Sequence, residues 1–319
     1  MNHSPHPHSP AMSSSSSSSH SASPRPSPRL SFEFFPPRSA AQSRRFWRTF
    51  GALEAFVPDH VSLTWGALGS DSTPSLALLE QLVPNTDIPV VAHLSCIGQT
   101  REELCVTLDR LEAIGVERVL ALRGDIPDGA TLDGDCFRHA DELVALLAEE
   151  RPHLAVSVAA YPETHPDAAS ADSDLHWLRH KLERGAERAY TQFFFEPETF
   201  LRWRDRARAA GIEQPLIPGI LPVHDMDKVQ AFAAKCGSAV PPGLIERFER
   251  VSDPEGRERL AVEACIALCR ALEREGVDEF HLYTLNRATL SRAIAAELLG
   301  TAGAGGDDSR SAAVRRDAA

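Results

Sequence analysis

The chain has 319 residues, of which 43% are hydrophobic, and a formal net charge of −12. That length and apolar content are enough to bury a full core, whereas the acidic balance argues against nucleic acid as a main partner. No run of about 20 apolar residues predicts a membrane span. The six cysteines are scattered without CxxC spacing, which favours reduced thiols and a cytoplasmic location.

The two ends of the chain differ in composition from its middle. Residues 1–29 are rich in Ser, Pro and His and contain no acidic residue, which predicts a disordered tail. A transit peptide is the alternative because such segments are Ser-rich and acid-poor, but the prolines and few arginines argue against an amphipathic helix. Residues 301–319 are mainly Gly, Ala, Asp, Ser and Arg and predict a second disordered tail. The folded part is therefore expected at 30–300.

The middle of the chain alternates strand and helix signals. Short apolar runs predict eight strands, at 30–35, 60–64, 88–94, 118–122, 154–160, 189–195, 216–221 and 280–284. Periodic apolar segments predict helices at 44–56, 74–82, 102–114, 140–150, 174–184, 197–210 and 287–298, with two or three more within 226–274. Thr100 and Glu103 have the spacing of a capping box at the start of the third helix.

Eight strands alternating with helices predict an α/β fold, a (β/α)₈ TIM barrel with extra helices between strands 7 and 8. A doubly wound open sheet is the second interpretation. It is disfavoured because no GxGxxG follows a strand and no GxxxxGK[ST] occurs anywhere in the sequence.

Polar residues recur where the predicted strands end. The fourth strand ends in Arg123, Gly124 and Asp125, although a buried strand has no structural need to end on charged residues. The other polar residues at these ends are Glu33, Thr64, His93, Tyr161, His165, Gln192, Tyr283, Asn286 and Arg287. One such residue is commonly a satisfied core polar group. Recurrence at most of the strands instead predicts an active site at the carboxyl end of a barrel.

Glu33 is the sharpest of these candidates. Its neighbours Phe32 and Phe34 predict an apolar environment, and desolvation favours the neutral form of a carboxyl group, which suits Glu33 to donating a proton. A second interpretation pairs Glu33 with a buried arginine such as Arg287. Gly124 either lets a ligand approach the backbone or forms an ordinary tight turn.

A metal-dependent barrel hydrolase is a further alternative, with His93, Asp125, His165 and His281 as ligands. Many such enzymes carry an H-x-H motif on the first strand, and here Phe32, Glu33 and Phe34 stand in that place. No metal is therefore predicted.

Eight blocks of the sequence resemble the methylenetetrahydrofolate reductase family, in order, across 30–299. They are SFEFFPP (31–37), HVSLTWGA (60–67), AHLSC (92–96), ALRGD (121–125), AAYPETHP (159–166), TQFFF (191–195), PGILP (218–222) and FHLYTLNR (280–287). Because the chain stops where the barrel stops, it is similar to the short bacterial form, without the C-terminal regulatory domain of the eukaryotic enzymes.

The resemblance implies a TIM barrel that binds FAD without a Rossmann fingerprint. It implies ping-pong chemistry in which NADH or NADPH gives a hydride to the flavin and 5,10-methylenetetrahydrofolate takes it, becoming 5-methyltetrahydrofolate for methionine synthesis. It also implies a homo-oligomer. A relative that only binds folate or flavin is the competing hypothesis, and the presence of both candidate catalytic carboxylates argues against it.

The resemblance also assigns roles to individual residues. It implies that Glu33 is the general acid that helps open the five-membered ring of the folate and that Asp125 contacts both flavin and pterin. The implied folate contacts are Asp125, Gln192, Lys228, Phe232 and Arg287. The implied FAD contacts are Thr64, His93, Arg123, Gly124, Asp125, His139, Ala140, Tyr161, His165, Ala168, Asp174, His180 and Lys181.

The sequence departs from the family pattern at four of the positions near these contacts. His139 stands where a tyrosine is usual, and Lys228 stands where a glutamine is common. Trp177 and His180 replace a polar and a basic residue on the helix that carries Lys181. These departures bear on the adenine side of the FAD site and on folate contact, and they leave Glu33 and Asp125 unaffected.

Overall fold

The computed structural model describes Met1 and residues 27–66, 72–126, 132 and 134–301. The two predicted tails lie almost entirely outside these residues. The strands are β1 (Arg29–Phe34), β2 (His60–Leu63), β3 (Val90–Ser95), β4 (Arg118–Leu122), β5 (Ala155–Ala160), β6 (Arg188–Thr191), β7 (Leu216–Ile217), β8 (Gly219–Ile220) and β9 (Glu279–Tyr283).

The helices are α1 (Ala40–Glu54), α2 (Thr73–Leu82), α3 (Arg101–Ile114), α4 (Ala140–Glu150), α5 (Ala171–Glu183), α6 (Pro197–Ala209), α7 (Met226–Cys236), α8 (Pro242–Glu249), α9 (Pro254–Arg274) and α10 (Ala288–Leu298). A single 3₁₀ turn, Val83–Asn85, follows α2. None of the helices in the described ranges is long and apolar enough to cross a membrane.

The strands form one parallel sheet in the order β7-β6-β5-β4-β3-β2-β1-β9-β8. Its two end strands are consecutive in the chain, separated only by Pro218. β7 pairs with β6 and β8 pairs with β9, so the sheet closes on itself through this proline. Proline cannot donate a ladder hydrogen bond, which interrupts the predicted seventh strand, but the carbonyl of Pro218 still accepts from the amide of His281 at 3.0 Å. The TIM barrel prediction is confirmed.

Side chains of each strand alternate between the barrel interior and the surrounding helices. On β1, Phe34 points outward, where its ring lies 5.4 Å from that of Phe46 on α1. Ser31, on the opposite face of β1, points inward and contacts His281. The outer layer therefore buries the large aromatic groups, and polar groups of β1 face the interior.

The interior is apolar on one side only. Val91, Leu120, Tyr190 and Ile217 form a buried cluster contributed by β3, β4, β6 and β7. The side formed by β1, β2 and β9 instead carries polar groups at alternate positions. They are Ser31 and Glu33, His60 and Ser62, and Glu279, His281 and Tyr283.

Helix boundaries follow the capping residues. The capping box at Thr100 and Glu103 is present, and Gly115 ends α3 with a φ of 94°. α5 begins three residues before its predicted start because Ser170 caps it. α1 begins four residues early because the hydroxyl of Ser39 accepts from the amide of Gln42. Boundary errors thus arise where a serine cap precedes the apolar periodicity.

The predicted sixth strand was too long. β6 ends at Thr191, whose side-chain oxygen accepts from the amide of Gly219 at 3.0 Å. Gln192 then folds back, and its side-chain oxygen accepts from the amide of Phe193. The following phenylalanines are buried against helices rather than in the sheet. The extra helices between the last two predicted strands are confirmed as α7, α8 and α9.

Candidate active site

The carboxyl ends of the strands bring most of the predicted polar residues to one mouth of the barrel. Glu33 is the last inward-facing residue of β1, and it pairs in register with Ser62 on β2 and Tyr283 on β9. Only 8% of Glu33 is exposed. Its backbone carbonyl accepts from the hydroxyl of Thr284 at 2.6 Å, which fixes the strand end.

The neighbours of the Glu33 carboxylate are two imidazoles. Oε2 of Glu33 lies 3.6 Å from Nε2 of His93 and 3.6 Å from Nε2 of His281. No lysine or arginine in the described part of the chain forms an ion pair with it. The alternative that paired Glu33 with Arg287 is wrong, because Arg287 is exposed and the ion pairs of Glu33 in the described residues are with His93 and His281.

Glu33 is buried as predicted, but the phenylalanines that flank it in sequence do not bury it. Phe32 and Phe34 flank Glu33 in sequence but point to the opposite face of β1, where both are buried outside the barrel. The groups that actually surround the carboxylate come from β3 and β9 and are polar. Period-two alternation along a strand explains the difference.

His93 is buried and kept neutral. Burial lowers the pKa of His93 to about 4, although the nearby Glu33 carboxylate acts in the opposite direction. Nε2 of His93 has no hydrogen-bond partner among the described residues. A buried ring nitrogen without a partner at the mouth of a barrel is a position where a ligand atom can bind.

His281 was missed as a site residue except as a possible metal ligand. Its Nδ1 lies 2.8 Å from the hydroxyl of Ser31, and its ring packs 5.5 Å from the ring of Tyr283. A usable signal was present in the sequence. Polar residues alternate along β9 at Glu279, His281 and Tyr283, which marks inward-facing positions on a barrel strand.

The turn from β9 into α10 is tied to the end of β1. Asn286 has a φ of 52°, and its side chain bonds both the amide and the carbonyl of Phe35, at 3.0 and 2.8 Å. The hydroxyl of Tyr283 donates to the carbonyl of Thr191 at 2.7 Å. Any side chain at Gly219 would collide with the Tyr283 ring, with a β-carbon only 2.6 Å from its Cε2. These contacts hold Tyr283 beside Glu33.

The loop after β4 carries the predicted Arg-Gly-Asp group. Gly124 has a φ of 87°, and a β-carbon there would overlap the hydroxyl of Ser95, so the glycine is required by both conformation and space. Arg123 forms an ion pair with Asp167 at 2.7 Å, and this hydrogen bond lowers the pKa of Asp167. Asp125 is exposed at the mouth.

The β5 loop and α5 supply a second polar group beside Arg123. The ring of His165 lies 4.5 Å from that of Tyr161, and the His165 amide donates to the Asp174 carboxylate at 3.0 Å. Nζ of Lys181 donates to the carbonyl of Ala159 at 2.8 Å. Burial lowers the pKa of Lys181 to about 8, against the opposing charge of Asp174. Burial raises the pKa of Tyr161 to about 12.

The start of α4 and the outer face of α5 meet at a cluster of aromatic side chains. The rings of His139 and Trp177 are stacked, with centroids 6.3 Å apart, and Trp177 is 48% exposed. His180 lies 3.7 Å from the Asp141 carboxylate. Two further predicted FAD contacts, Thr64 after β2 and Ala168 in the β5 loop, lie on the same end of the barrel.

The predicted folate contacts surround the opposite side of the mouth. Gln192 follows β6, and Phe232 on α7 stacks on Phe193 at 5.3 Å. Lys228 is engaged with Asp225 at 2.7 Å in the first turn of α7. Arg287 is close enough to His224 in the neighbouring loop to help lower its pKa, after the larger effect of burial.

The four residues proposed for the metal alternative do not converge as a set, although two of them, His93 and His281, both lie beside Glu33. Within the described part of the chain, the one group of three potential ligands whose atoms converge is Asp59, His60 and Glu279. It lies at the other end of the barrel. Its two carboxylates are engaged by Arg29, and Glu279 also by Arg188.

The sequence of the chain matches known proteins over most of its length. The family model described as methylenetetrahydrofolate reductase matches residues 19–299. The chain is 40% identical over 266 residues to the 5,10-methylenetetrahydrofolate reductase of Pectobacterium carotovorum subsp. carotovorum, covering 83% of this chain and 88% of that protein. It is 39% identical to the enzyme of the same name from Escherichia coli, with the same coverage.

More distant matches differ in length or show the fold alone. Methylenetetrahydrofolate reductase (NADH) 1 of Arabidopsis thaliana is 29% identical over 270 residues, which cover 80% of this chain but 46% of that protein. Among solved structures, an uncharacterized protein from Clostridium thermocellum that binds two copies of 5-methyl-5,6,7,8-tetrahydrofolic acid superposes with a TM-score of 0.61. It is 14% identical, over 86% of this chain and 95% of that one.

Proposed function

The chain belongs to the methylenetetrahydrofolate reductase family, and from that membership and the geometry of the mouth we propose that it reduces 5,10-methylenetetrahydrofolate to 5-methyltetrahydrofolate with NADH or NADPH, through bound FAD. The observation that carries the proposal is the environment of Glu33. It is a buried carboxyl group at the carboxyl end of a barrel strand, without a lysine or arginine partner in the described residues and between two imidazoles.

The residues of the mouth fit an FAD molecule by their chemistry. Arg123, His165 and Lys181 offer nitrogen donors for a pyrophosphate along the ends of β4 and β5. Gly124 leaves the backbone open where a β-carbon would not fit. The unpartnered Nε2 of His93 is available to the polar edge of an isoalloxazine ring. When bound, FAD would relay a hydride from the reduced nicotinamide to the folate.

Glu33 would give a proton to the ring nitrogen that departs when the five-membered ring of the substrate opens. The resulting iminium is the hydride acceptor. A general acid must be protonated before it acts, and a guanidinium partner would hold Glu33 as a carboxylate. The neutral imidazole of His93 does not impose that state. The Ser31 hydroxyl and Tyr283 fix the ring of His281 in its place beside the acid.

The remaining side chains would position the two substrates. Asp125 stands exposed between the β5 loop and α7, where its charge helps to raise the pKa of Tyr161 and of Cys236, in each case after burial. From there it can accept hydrogen bonds from the pterin. Phe193 and Phe232 present a stacked aromatic pair, and Gln192 and Arg287 offer an amide and a guanidinium to the rest of the folate.

The test is an anaerobic titration of the purified protein, reconstituted with FAD and followed by visible absorption. NADH or NADPH should bleach the flavin band, and methylenetetrahydrofolate added next should restore it, with one 5-methyltetrahydrofolate formed for each nicotinamide oxidised. A protein that binds no FAD, or a flavin that is bleached and does not recover with the folate, would contradict the proposed reaction.

A further inference from the structure

The barrel interior beneath Glu33 contains a buried serine and a buried histidine that contact each other. Ser31 on β1 pairs in register with His281 on β9, Ser31 is fully buried, and His281 is 2% exposed. Nδ1 of His281 lies 2.8 Å from the Ser31 hydroxyl, and Nε2 of the same ring lies 3.6 Å from Oε2 of Glu33. The imidazole therefore bridges two inward-facing residues of β1 that are two positions apart.

The Ser31 hydroxyl determines which nitrogen of His281 carries a hydrogen. It has one hydrogen to donate and two acceptors within reach, Nδ1 of His281 at 2.8 Å and the carbonyl of Phe280 at 3.4 Å. The shorter contact makes the stronger hydrogen bond. An imidazole that accepts at Nδ1 carries its hydrogen on Nε2. Nε2 is then a donor, and it is the nitrogen that faces Glu33.

The two oxygens of Glu33 have different neighbours. His93 and His281 both approach Oε2, each at 3.6 Å, whereas Oε1 makes no ion pair or hydrogen bond with the residues that the structure describes. Hydrogen bonds of catalytic groups are commonly long until a substrate binds, so a separation of 3.6 Å is compatible with donation from Nε2. A donor directed at Oε2 disfavours a proton on that oxygen, because two hydrogens would then face each other.

We propose that His281, oriented by Ser31, is a positioning residue for the general acid, because it donates from Nε2 to Oε2 of Glu33 and leaves the acidic proton on Oε1 for the substrate. This inference rests on the proposed function, in which Glu33 protonates the departing ring nitrogen of the folate. The Oε1–H bond breaks and an N–H bond forms. The ring C–N bond then breaks with its electrons going to that nitrogen, and the other ring nitrogen supplies the electron pair of the iminium.

The charge left on Glu33 explains why a donor at Oε2 matters. Loss of the proton from Oε1 makes the group a carboxylate, and a hydrogen bond to a charged acceptor is stronger than one to a neutral acceptor. The Nε2–H of His281 therefore stabilises the state after proton transfer more than the state before it, which is the requirement for a faster step. Water restores the proton of Glu33 once the product has left the mouth.

The experiment follows the two half-reactions separately by stopped-flow absorption, using the full-length, FAD-loaded protein. His281→Met should slow flavin reoxidation by saturating methylenetetrahydrofolate by about 10- to 100-fold, the equivalent of one hydrogen bond to a charged group. It should leave flavin reduction by NADH or NADPH and the half-saturating folate concentration nearly unchanged. His281→Gln keeps an N–H near the position of Nε2 and should recover most of the rate. Ser31→Ala should slow the same step by about tenfold.

Two controls and one spectrum separate positioning from a purely structural role. Ser62→Ala removes a different hydroxyl, 3.5 Å from Nε2 of His281, and should keep the parent rate. In a Glu33→Gln background, His281→Met should cause no further loss, because the histidine acts through the acid. ¹⁵N NMR of the histidine-labelled parent protein, with the His281 signals assigned from His281→Gln, should show the hydrogen on Nε2.

Several results would overturn the inference. They are a His281→Met or Ser31→Ala variant that reoxidises its flavin with the folate at the parent rate, equal slowing of both half-reactions, an additional loss in the Glu33→Gln background, and a hydrogen on Nδ1 in the NMR spectrum. The spectrum needs no active variant, so the inference can be tested even if a substitution prevents folding. A parent protein whose reduced flavin is not reoxidised by the folate would instead contradict the proposed function.

Discussion

Each end of the barrel holds a buried glutamate, on neighbouring strands, and the two glutamates have opposite kinds of neighbours. Glu279, at the amino end of β9, is 4% exposed and lies 2.7 Å from Arg29 and 3.0 Å from Arg188. Glu33, at the carboxyl end of β1, is 8% exposed and has only imidazoles near it, at 3.6 Å. One carboxylate is neutralised by two cations, and the other by none among the described residues.

The difference in charged neighbours indicates that Glu279 contributes to stability and Glu33 to the reaction. Charges at the amino end of a TIM barrel serve the fold, whereas the carboxyl end carries the reaction. Two guanidinium groups hold the Glu279 carboxylate in place, whereas Glu33 has no lysine or arginine partner among the described residues and is left to interact with a ligand at the mouth. The same contrast holds for arginine. Arg29 and Arg188 are paired at the amino end, and Arg45 and Arg48 on α1 make no ion pair with the residues that the structure describes.

The largest expected effect comes from removing the ion pair between Arg188 and Glu279 at the amino end of the barrel. Arg188→Met leaves Glu279 with a single, half-exposed partner and should lower the free energy of unfolding by about 2–3 kcal/mol at pH 7. Burial already raises the pKa of Glu279, and losing Arg188 raises it further. A group whose pKa is raised by folding costs less at low pH, so the loss should shrink towards pH 5.

Urea unfolding of the apoprotein at both pH values measures this effect. Asp59→Asn, which breaks the more exposed pair with Arg29, serves as the matched control and should cost less than about 1 kcal/mol. Turnover per folded, FAD-loaded molecule should stay unchanged in both variants. An Arg188 variant that is fully stable but slow in folate reduction would contradict the account, because the amino end would then serve the reaction rather than the stability of the fold.

A smaller effect concerns two buried histidines, His60 at the amino end of the barrel and His93 at the carboxyl end. Burial lowers the pKa of His60 to about 2 and that of His93 to about 4. Between pH 7 and 5 the unfolded chain protonates both, and the folded chain protonates neither. Stability should therefore be complete above about pH 6.5 and fall on acidification, by about 1–2 kcal/mol for each histidine at pH 5.

The slope of unfolding free energy against pH isolates the contribution of one histidine. His60→Gln removes the group near Arg188 that contacts the Tyr190 hydroxyl at 2.9 Å. Its slope between pH 7 and 5 should be shallower than that of the parent by about one proton. Parallel slopes for the two proteins would show that His60 is not kept neutral by the fold.

The smallest effect distinguishes a charge that serves a ligand from one that serves the fold. Lys181→Met should weaken FAD binding by roughly tenfold, as expected for one charge-assisted phosphate contact. It should leave the apoprotein as stable as the parent at pH 7, because the ammonium is already disfavoured by burial. Fluorescence titration with FAD and urea unfolding of the apoprotein give the two numbers. Lys235→Met, on the exposed face of α7, should change neither.

Much of this architecture was predictable from local signals. Apolar runs located every strand, and the capping box at Thr100 and Glu103 located the start of α3. The interruption at Pro218 could also be read from the sequence, because proline cannot extend a ladder. The point at which β6 ends, earlier than predicted, could not be read from local sequence. Thr191 stops β6 through a bond to Gly219, a residue that is distant in sequence.

The sequence predicted which strand ends carry the residues of the site, but it did not predict which of those residues contact one another. Which residues lie beside Glu33 depends on strand register and inward orientation, so neither the flanking phenylalanines nor the sequence spacing indicates that His281 is its neighbour. A cavity of about 290 Å³ lined by Arg45, Arg48 and Arg287 lies between a helix near the start of the chain and a turn near its end. Nothing in the sequence spacing brings those three side chains together.

The most direct test of the account compares Glu33→Gln with the parent in the two halves of the reaction. FAD content and oxidation of NADH or NADPH by an artificial electron acceptor should be retained, because neither needs the acid. Reduction of methylenetetrahydrofolate should fall by a factor of about 10²–10⁴, the usual contribution of a general acid. A Glu33→Gln enzyme that reduces the folate at the parent rate would show that the proton comes from another group.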